Sequence, residues 1–151
     1  VGSSEIQDYS IRANDIGADA VKIGMLYSAE FIQAVADGLR RHEAVNIVLD
    51  PVMVAQSGDK LLQDAAITAL KENLLPLSTV LTPNLPEAAV LLGRKVKGLD
   101  DMQAAAKSLA ACGSRSVLLK GGHAQGDDSS EVHVAGTGGR LPRTLRQSFP
   151  G

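Results

Sequence analysis

The stretch STVLTPNLPEAA, residues 78–89, decides the fold of this chain. Residues 79–82 are β-branched and apolar, which predicts a buried strand. Thr82 precedes a proline and therefore has to stay extended. Asn84 can then cap a helix that begins at the next residue, accepts a proline in its first turn and ends at Gly93. A strand that leads directly into a helix N-terminus is how α/β proteins build anion sites.

Asn84 and Glu87 allow two interpretations. Their spacing is that of a capping box, with Asn84 at the N-cap and Glu87 three residues later, and this structural role would explain both residues. The alternative is a role in binding an anion at the N-terminus of the helix. The spacing alone favours the structural interpretation, so the choice depends on the surrounding sequence.

The same succession of strand and helix recurs along the chain. Short apolar runs predict further strands at residues 21–25, 46–50 and 116–120, and the continuous run in the second indicates burial on both faces. The predicted helices are one capped by Ser28, one from Asp64 to Pro76, and one that opens with a capping box of Asp100 and Gln103 and ends at Gly113.

This alternation predicts an α/β fold with a mostly parallel sheet, right-handed crossovers and flanking helices. Residues 131–135 alternate in polarity and, across a glycine-rich turn, residues 140–145 could return as a C-terminal β-hairpin. In a parallel sheet, ligands bind beyond the carboxyl ends of the strands. The residues of interest predicted there are Met25, Asp50 with Val52, Asn84 with Glu87, and Lys120 with Gly121 and Gly122.

Composition excludes several classes of protein. A chain of 151 residues has the size of one domain. The net charge of −2, without a basic run, argues against nucleic acid as the main partner. No apolar run is long enough to span a membrane, and the first residues do not have the pattern expected of a signal peptide. The single cysteine, Cys112, excludes an internal disulfide and suits a reducing cytoplasm.

Four strings of the sequence resemble one known family. In order and at about the family's spacing, they resemble the hydroxymethylpyrimidine/phosphomethylpyrimidine kinases of thiamine biosynthesis, members of the ribokinase-like superfamily. The resemblance extends over residues 15–136 and implies a three-layer αβα fold. The strings are VKIGML at 21–26, VLDPVMVAQSGD at 48–59, TPNLPEAA at 82–89 and VLLKGGH at 117–123.

The resemblance implies a kinase that uses ATP and Mg²⁺ to phosphorylate hydroxymethylpyrimidine and then its monophosphate. It places Asp50 and Glu87 in the magnesium network, acting through water because magnesium keeps several of its waters. Asn84 belongs to the same network in this interpretation. Without the resemblance, an Asp at the end of a strand and before a proline is equally well explained as a turn residue, although a carboxylate there needs a donor, a cation or a metal.

Lys120 also has two interpretations. Followed by Gly121 and Gly122, it offers a cation and exposed backbone N–H groups, both useful around phosphates. The alternative is a surface lysine before a flexible turn. The resemblance places this segment beside the nucleotide, where Lys120 would neutralise phosphate charge.

Met25 and Val52 are apolar residues at the ends of strands, where packing in the core explains most such residues. The resemblance implies instead that they pack around the pyrimidine ring, because a polarisable thioether suits an aromatic face.

The family's N-terminal substrate loop and its C-terminal Gly-Thr-Gly-Cys segment, with the general base, have no counterpart in residues 1–151. The chain is therefore expected to be a partial, single kinase domain with no catalytic base of its own and impaired turnover. Uncovered sheet edges and helix faces would then favour aggregation or pairing with another chain. Two alternatives stay open: a vitamin kinase of the pyridoxal kinase type, and a catalytically silent binding partner. Because related kinases commonly dimerise, a homodimer also stays open.

Overall fold

The computed structural model describes residues 19–53, 61–121 and 131–135. Five strands form one sheet in the order β1-β2-β3-β4-β5, which is also their order in the chain. The first four strands are parallel, and the fifth runs antiparallel to the fourth. The strands are β1 (Val21–Ile23), β2 (Ile47–Leu49), β3 (Val80–Leu81), β4 (Ser116–Lys120) and β5 (Glu131–Ala135). This mostly parallel α/β sheet confirms the predicted fold class.

Helices connect the parallel strands. The second helix, which begins at Asp64, continues through a π-helical turn, Leu70–Leu74, and a 3-10 turn, Leu75–Leu77. None of the helices in the described part of the chain is long and apolar enough to cross a membrane. The helices are α1 (Ala29–Arg41), α2 (Asp64–Ala69), α3 (Leu85–Leu92) and α4 (Gly98–Ala111).

The ends of α1 and α3 form for the reasons that the sequence indicates. Ser28 accepts a hydrogen bond from the N–H of Phe31 and caps α1. Asn84 caps α3, which ends at Gly93 in the left-handed conformation with φ of 69°. Glycine adopts this conformation without the steric penalty that a Cβ brings. Both helices therefore have the predicted start.

The capping box predicted at Asp100 and Gln103 is wrong. Helix α4 begins earlier, at Gly98, and its N-cap, Lys97, has no side-chain capping bond. The neighbouring carboxylate of Asp101 accepts a hydrogen bond from the N–H of Lys97 at 2.7 Å and another from the Arg94 guanidinium at 2.7 Å. An acidic side chain in the first turn thus satisfies a free backbone donor from inside the helix.

The core lies on one face of the sheet. A single row of side chains in register crosses all five strands, and every member of it is at most 7% exposed. On the other face, Val48, Val80 and Leu118 are only half-buried, so β2 does not have the equal burial on both faces that its apolar run indicates. The buried row consists of Ile23, Leu49, Leu81, Val117 and Val134.

Other boundaries differ by a few residues from the prediction. β1 ends at Ile23, and β3 contains only Val80 and Leu81. β4 has the predicted bounds, as does β5, which pairs with β4. The predicted return strand at 140–145 lies outside the described residues.

Candidate functional site

Three adjacent strands bring Asp50, Thr82 and Lys120 together at their carboxyl ends. The ammonium group of Lys120 lies 3.2 Å from Oδ1 of Asp50. The hydroxyl of Thr82 donates to the same carboxylate oxygen, also at 3.2 Å. The carboxylate at the end of β2 thus has the cation and the hydrogen-bond donor that its position requires.

Backbone hydrogen bonds fix these three positions at the carboxyl ends of the strands. The N–H of Asp50 donates to Ile23 at 2.8 Å, and that of Thr82 donates to Leu49 at 2.9 Å. The N–H of Lys120 donates to the carbonyl of Pro83 at 2.8 Å. Each polar side chain is therefore attached to backbone that is itself held by the neighbouring strand.

Asn84 and Glu87 form the predicted capping box. The Asn84 side chain accepts from the N–H of Glu87 at 2.8 Å, and the Glu87 carboxylate accepts from the N–H of Asn84 at 2.9 Å. An isolated bridge pairs Asn84 with Lys120. The helix N-terminus therefore lies directly beside the strand that carries the lysine, and the structural role of the box is confirmed.

Glu87 is more buried than a cap requires, with 3% of its surface exposed. Burial raises the pKa of the Glu87 carboxyl above its ordinary value, and the negative charge of Asp50 raises this pKa further. The backbone N–H of Asn84, the charge of Lys120 and the backbone N–H of Met53 act in the opposite direction. Two carboxylates, one lysine and two backbone donors thus share one region at the edge of the sheet.

The remaining predicted site residues lie at the same edge with fewer polar contacts. Met25 is two residues beyond β1 and 52% exposed. Val52 is half-buried, and its N–H donates to the carbonyl of Asp50 at 2.9 Å. Gly121 directly follows β4 and is half-buried, whereas Gly122 lies outside the described residues.

The donor set suits a magnesium ion better than a metal held by protein ligands alone. Among residues 19–53, 61–121 and 131–135, no group of three or more His, Cys, Asp or Glu side chains could hold a metal. Magnesium, however, is commonly held by one or two carboxylates together with water and substrate phosphates. Asp50 and Glu87 supply that number of carboxylates, so the residues present fit a hydrated magnesium ion.

Thr82 is a member of this site that the sequence pattern does not predict. The pattern indicates only that Thr82 is extended before a proline. Because Leu49 and Leu81 are partners in the sheet, the next residues along the two strands, Asp50 and Thr82, also lie side by side. The pairing of two polar residues immediately after two apolar strands is the pattern that could have identified Thr82.

The sheet and its connecting helices define an α/β protein of the ribokinase-like fold. Among solved structures, that of phosphomethylpyrimidine kinase from Clostridium difficile 630 is similar, with a TM-score of 0.80 and 34% identity over 91% of this chain and 59% of that one. The ADP complex of Bacillus subtilis pyridoxal kinase is similar with a TM-score of 0.81 and 32% identity over 98% of this chain and 54% of that one.

The sequence profile of the phosphomethylpyrimidine kinase family matches residues 6–147. The chain belongs to this family. Hydroxymethylpyrimidine/phosphomethylpyrimidine kinase of Rhizobium meliloti (strain 1021) is 47% identical over 131 residues, which are 85% of this chain and 49% of that protein. The chain spans about half the length of the curated relatives that it matches.

Proposed function

We propose that this chain carries the phosphate-binding part of a kinase that transfers a phosphoryl group from ATP to hydroxymethylpyrimidine and then to its monophosphate, in thiamine biosynthesis. The observation that carries the proposal is the position of Lys120 at the end of β4, whose ammonium group reaches across β3 to lie 3.2 Å from Asp50 at the carboxyl end of β2. A ligand at this edge would meet Lys120 and Asp50, with the buried carboxylate of Glu87 in their vicinity. These are the groups that phosphoryl transfer needs to position the phosphates and a metal ion.

In this proposal Lys120 neutralises phosphate charge, and the backbone of Gly121 and Gly122 approaches the phosphates. Asp50 and Glu87 hold Mg²⁺ through water, beside Asn84, and the ion would neutralise charge on the transferred phosphoryl group. The 3.2 Å ion pair between Lys120 and Asp50 would exchange in part for contacts with phosphate. Since the Lys120 side chain is 39% exposed, that exchange costs little.

Met25 and Val52 are proposed to contact the pyrimidine. Their place beyond the strands, and the 52% exposure of Met25, leave apolar surface available to a flat ring. A homodimer and a cytoplasmic location remain predictions.

Calorimetric titration of the chain with ADP, in the presence and absence of Mg²⁺, tests the phosphate site. Lys120→Met keeps the length of the side chain and removes its charge. Since a hydrogen bond to a charged group contributes roughly 1.5–3 kcal/mol, we expect the variant to bind ADP about ten- to a hundredfold more weakly. Lys107→Met, at an exposed position of α4, is the matched control and should bind as the wild type does. Equal affinity of the Lys120 variant and the wild type would contradict the proposal.

A pyridoxal kinase is the second candidate, because the TM-score to the Bacillus subtilis pyridoxal kinase is 0.81, against 0.80 for the phosphomethylpyrimidine kinase. The family match favours the pyrimidine substrate. Because impaired turnover is expected, calorimetric titration of the chain with hydroxymethylpyrimidine and with pyridoxal distinguishes the two, with the Rhizobium meliloti relative as the positive control. A preference for pyridoxal would reverse the assignment.

A further inference from the structure

We infer that Thr82 is a positioning residue for the magnesium-nucleotide site, acting through the carboxylate of Asp50; this inference rests on the proposed function. The observation is the hydrogen bond from the Thr82 hydroxyl to Oδ1 of Asp50 at 3.2 Å. An ionised carboxylate only accepts hydrogen bonds, so the hydroxyl is the donor. In this inference Thr82 acts on the site through its hydrogen bond to Asp50.

Thr82 is the rigid one of the two partners of Asp50. Lys120 reaches the same oxygen with a long, 39% exposed side chain, whose ordering costs entropy and whose ion pair is screened by water. Thr82 has one side-chain torsion between its backbone and its hydroxyl, restricted by β-branching. Its backbone is held on one side by the 2.9 Å bond to Leu49 and on the other by the proline that follows.

The two partners would respond differently to bound phosphates. Lys120 is the group that moves toward the ligand's charge, whereas Thr82 has no charge that a phosphate could attract. The Thr82 hydroxyl therefore keeps the Asp50 carboxylate oriented while the lysine exchanges part of its contact with Asp50 for contact with phosphate. Two bonds on one oxygen also leave acceptor sites on this carboxylate for the waters of a magnesium ion. Partners of this kind, one step removed from a metal, commonly change metal affinity by about ten- to a hundredfold.

The test titrates Thr82→Val and Thr82→Ser with ADP under two conditions, one with Mg²⁺ and one with a chelator. Valine keeps the shape and the β-branching and loses the hydroxyl, while serine keeps the hydroxyl. We expect Thr82→Val to lose about tenfold of the affinity for the magnesium complex of ADP and to keep its affinity for ADP alone within about twofold. Thr82→Ser should restore most of the loss. Lys120→Met, by contrast, should weaken binding under both conditions.

Thr79→Val is the matched control at the opposite end of β3. The hydroxyl of Thr79 accepts from the N–H of Ile47 at 3.0 Å, so its loss should lower stability without changing nucleotide affinity. Thr82→Ala is the second variant without a hydroxyl, should valine prevent folding. Suppose that the wild type binds ADP more tightly with Mg²⁺ than without it, and that Mg²⁺ increases the ADP affinity of Thr82→Val and Thr82→Ala by the same factor. The inference is then wrong and the proposed function stands. If the wild type binds no ADP under either condition, the proposed function fails and the inference fails with it.

Discussion

Glu87 combines two demands that usually conflict in a single residue. As the third residue of a capping box it has to be ionised to accept best from the N–H of Asn84, whereas its burial opposes ionisation. The charge of Lys120 and the N–H of Met53 stabilise the ionised carboxylate of Glu87, whereas the negative charge of Asp50 destabilises it. The net effect is a pKa above the ordinary value, as functional sites with paired carboxylates often show.

Replacing Glu87 by Gln tests this balance through the pH dependence of stability. A raised pKa in the folded state means that the folded protein binds the proton more tightly than the unfolded chain does. The contribution of protonated Glu87 is therefore fully present below the unfolded value of 4.5 and is lost as pH rises through the folded value. We expect the unfolding free energy of the wild type, relative to Glu87→Gln, to fall as pH rises above 4.5, with a slope no steeper than about 1.4 kcal/mol per pH unit.

Urea denaturation at a series of pH values measures this difference. Glutamine keeps an oxygen that accepts from Asn84, so the capping bond is retained and only the titration is removed. Carboxylates such as Asp101 and Glu30, whose pKa values are lowered by backbone hydrogen bonds, occur in both proteins and cancel in the comparison. A difference that does not change between pH 4 and pH 7 would contradict the raised pKa.

The sequence predicts the bounds of a helix or strand correctly where both of its ends depend on neighbouring residues. Asn84 and Gly93 define α3 on their own, and the apolar run of β4 is closed by Lys120, so the sequence predicts both elements with their bounds. The start of α4 depends on Arg94 and Lys97 meeting the carboxylate of Asp101, which pattern alone does not reveal.

For helix α2 and for the site, too, the sequence pattern predicts only part of what the structure shows. The helix that begins at Asp64 is α-helical only as far as Ala69, and a π-helical turn, Leu70–Leu74, and a 3-10 turn, Leu75–Leu77, which contains Pro76, follow it. A proline cannot donate to the carbonyl four residues earlier, so an α-helix would not continue regularly through Pro76. The convergence of Asp50, Glu87 and Lys120 follows from a parallel sheet. The role of Thr82 depends on the register of β2 against β3, so the polar residues after the two apolar runs identify Thr82 only once the two strands are aligned.

The turn after α4 supplies a prediction about backbone conformation. Gly113 has φ of 127°, and a Cβ at this position would lie 3.2 Å from Cα of Pro76. Gly113→Ala therefore meets both an unfavourable backbone conformation and backbone atoms that do not move aside easily. We expect a loss of roughly 1–3 kcal/mol in unfolding free energy, measured by urea denaturation.

Gly38→Ala is the control for this change. Gly38 lies inside α1, and a Cβ there meets nothing within 4 Å. Alanine is the better helix former, so this substitution should stabilise the protein by about 0.5–1 kcal/mol. A stabilising effect of alanine at both positions would mean that the turn after α4 does not hold Gly113 in the conformation described.

On the scale of the whole molecule, the sheet is asymmetric. The face with Leu49, Leu81 and Val117 is fully buried, and the opposite face, with Val48 and Leu118, is half-buried. Right-handed crossovers between parallel strands in sequential order place their helices on the same face of the sheet, which accounts for this difference. The stability of the chain should therefore depend far more on one set of strand residues than on the other.

Leu119→Ala and Leu118→Ala form a matched pair for this asymmetry, since the two leucines are neighbours in β4 and point to opposite faces. Leu119 is 0% exposed, and its truncation leaves a cavity that should cost about 2–5 kcal/mol. Leu118 is half-buried, so its truncation should lower the unfolding free energy by only about 1 kcal/mol. Both changes have the same effect on strand propensity, so the difference in urea midpoint at constant m-value reports burial alone. Equal losses would show that the second face is as tightly packed in solution as the first, and would refute a core confined to one side of the sheet.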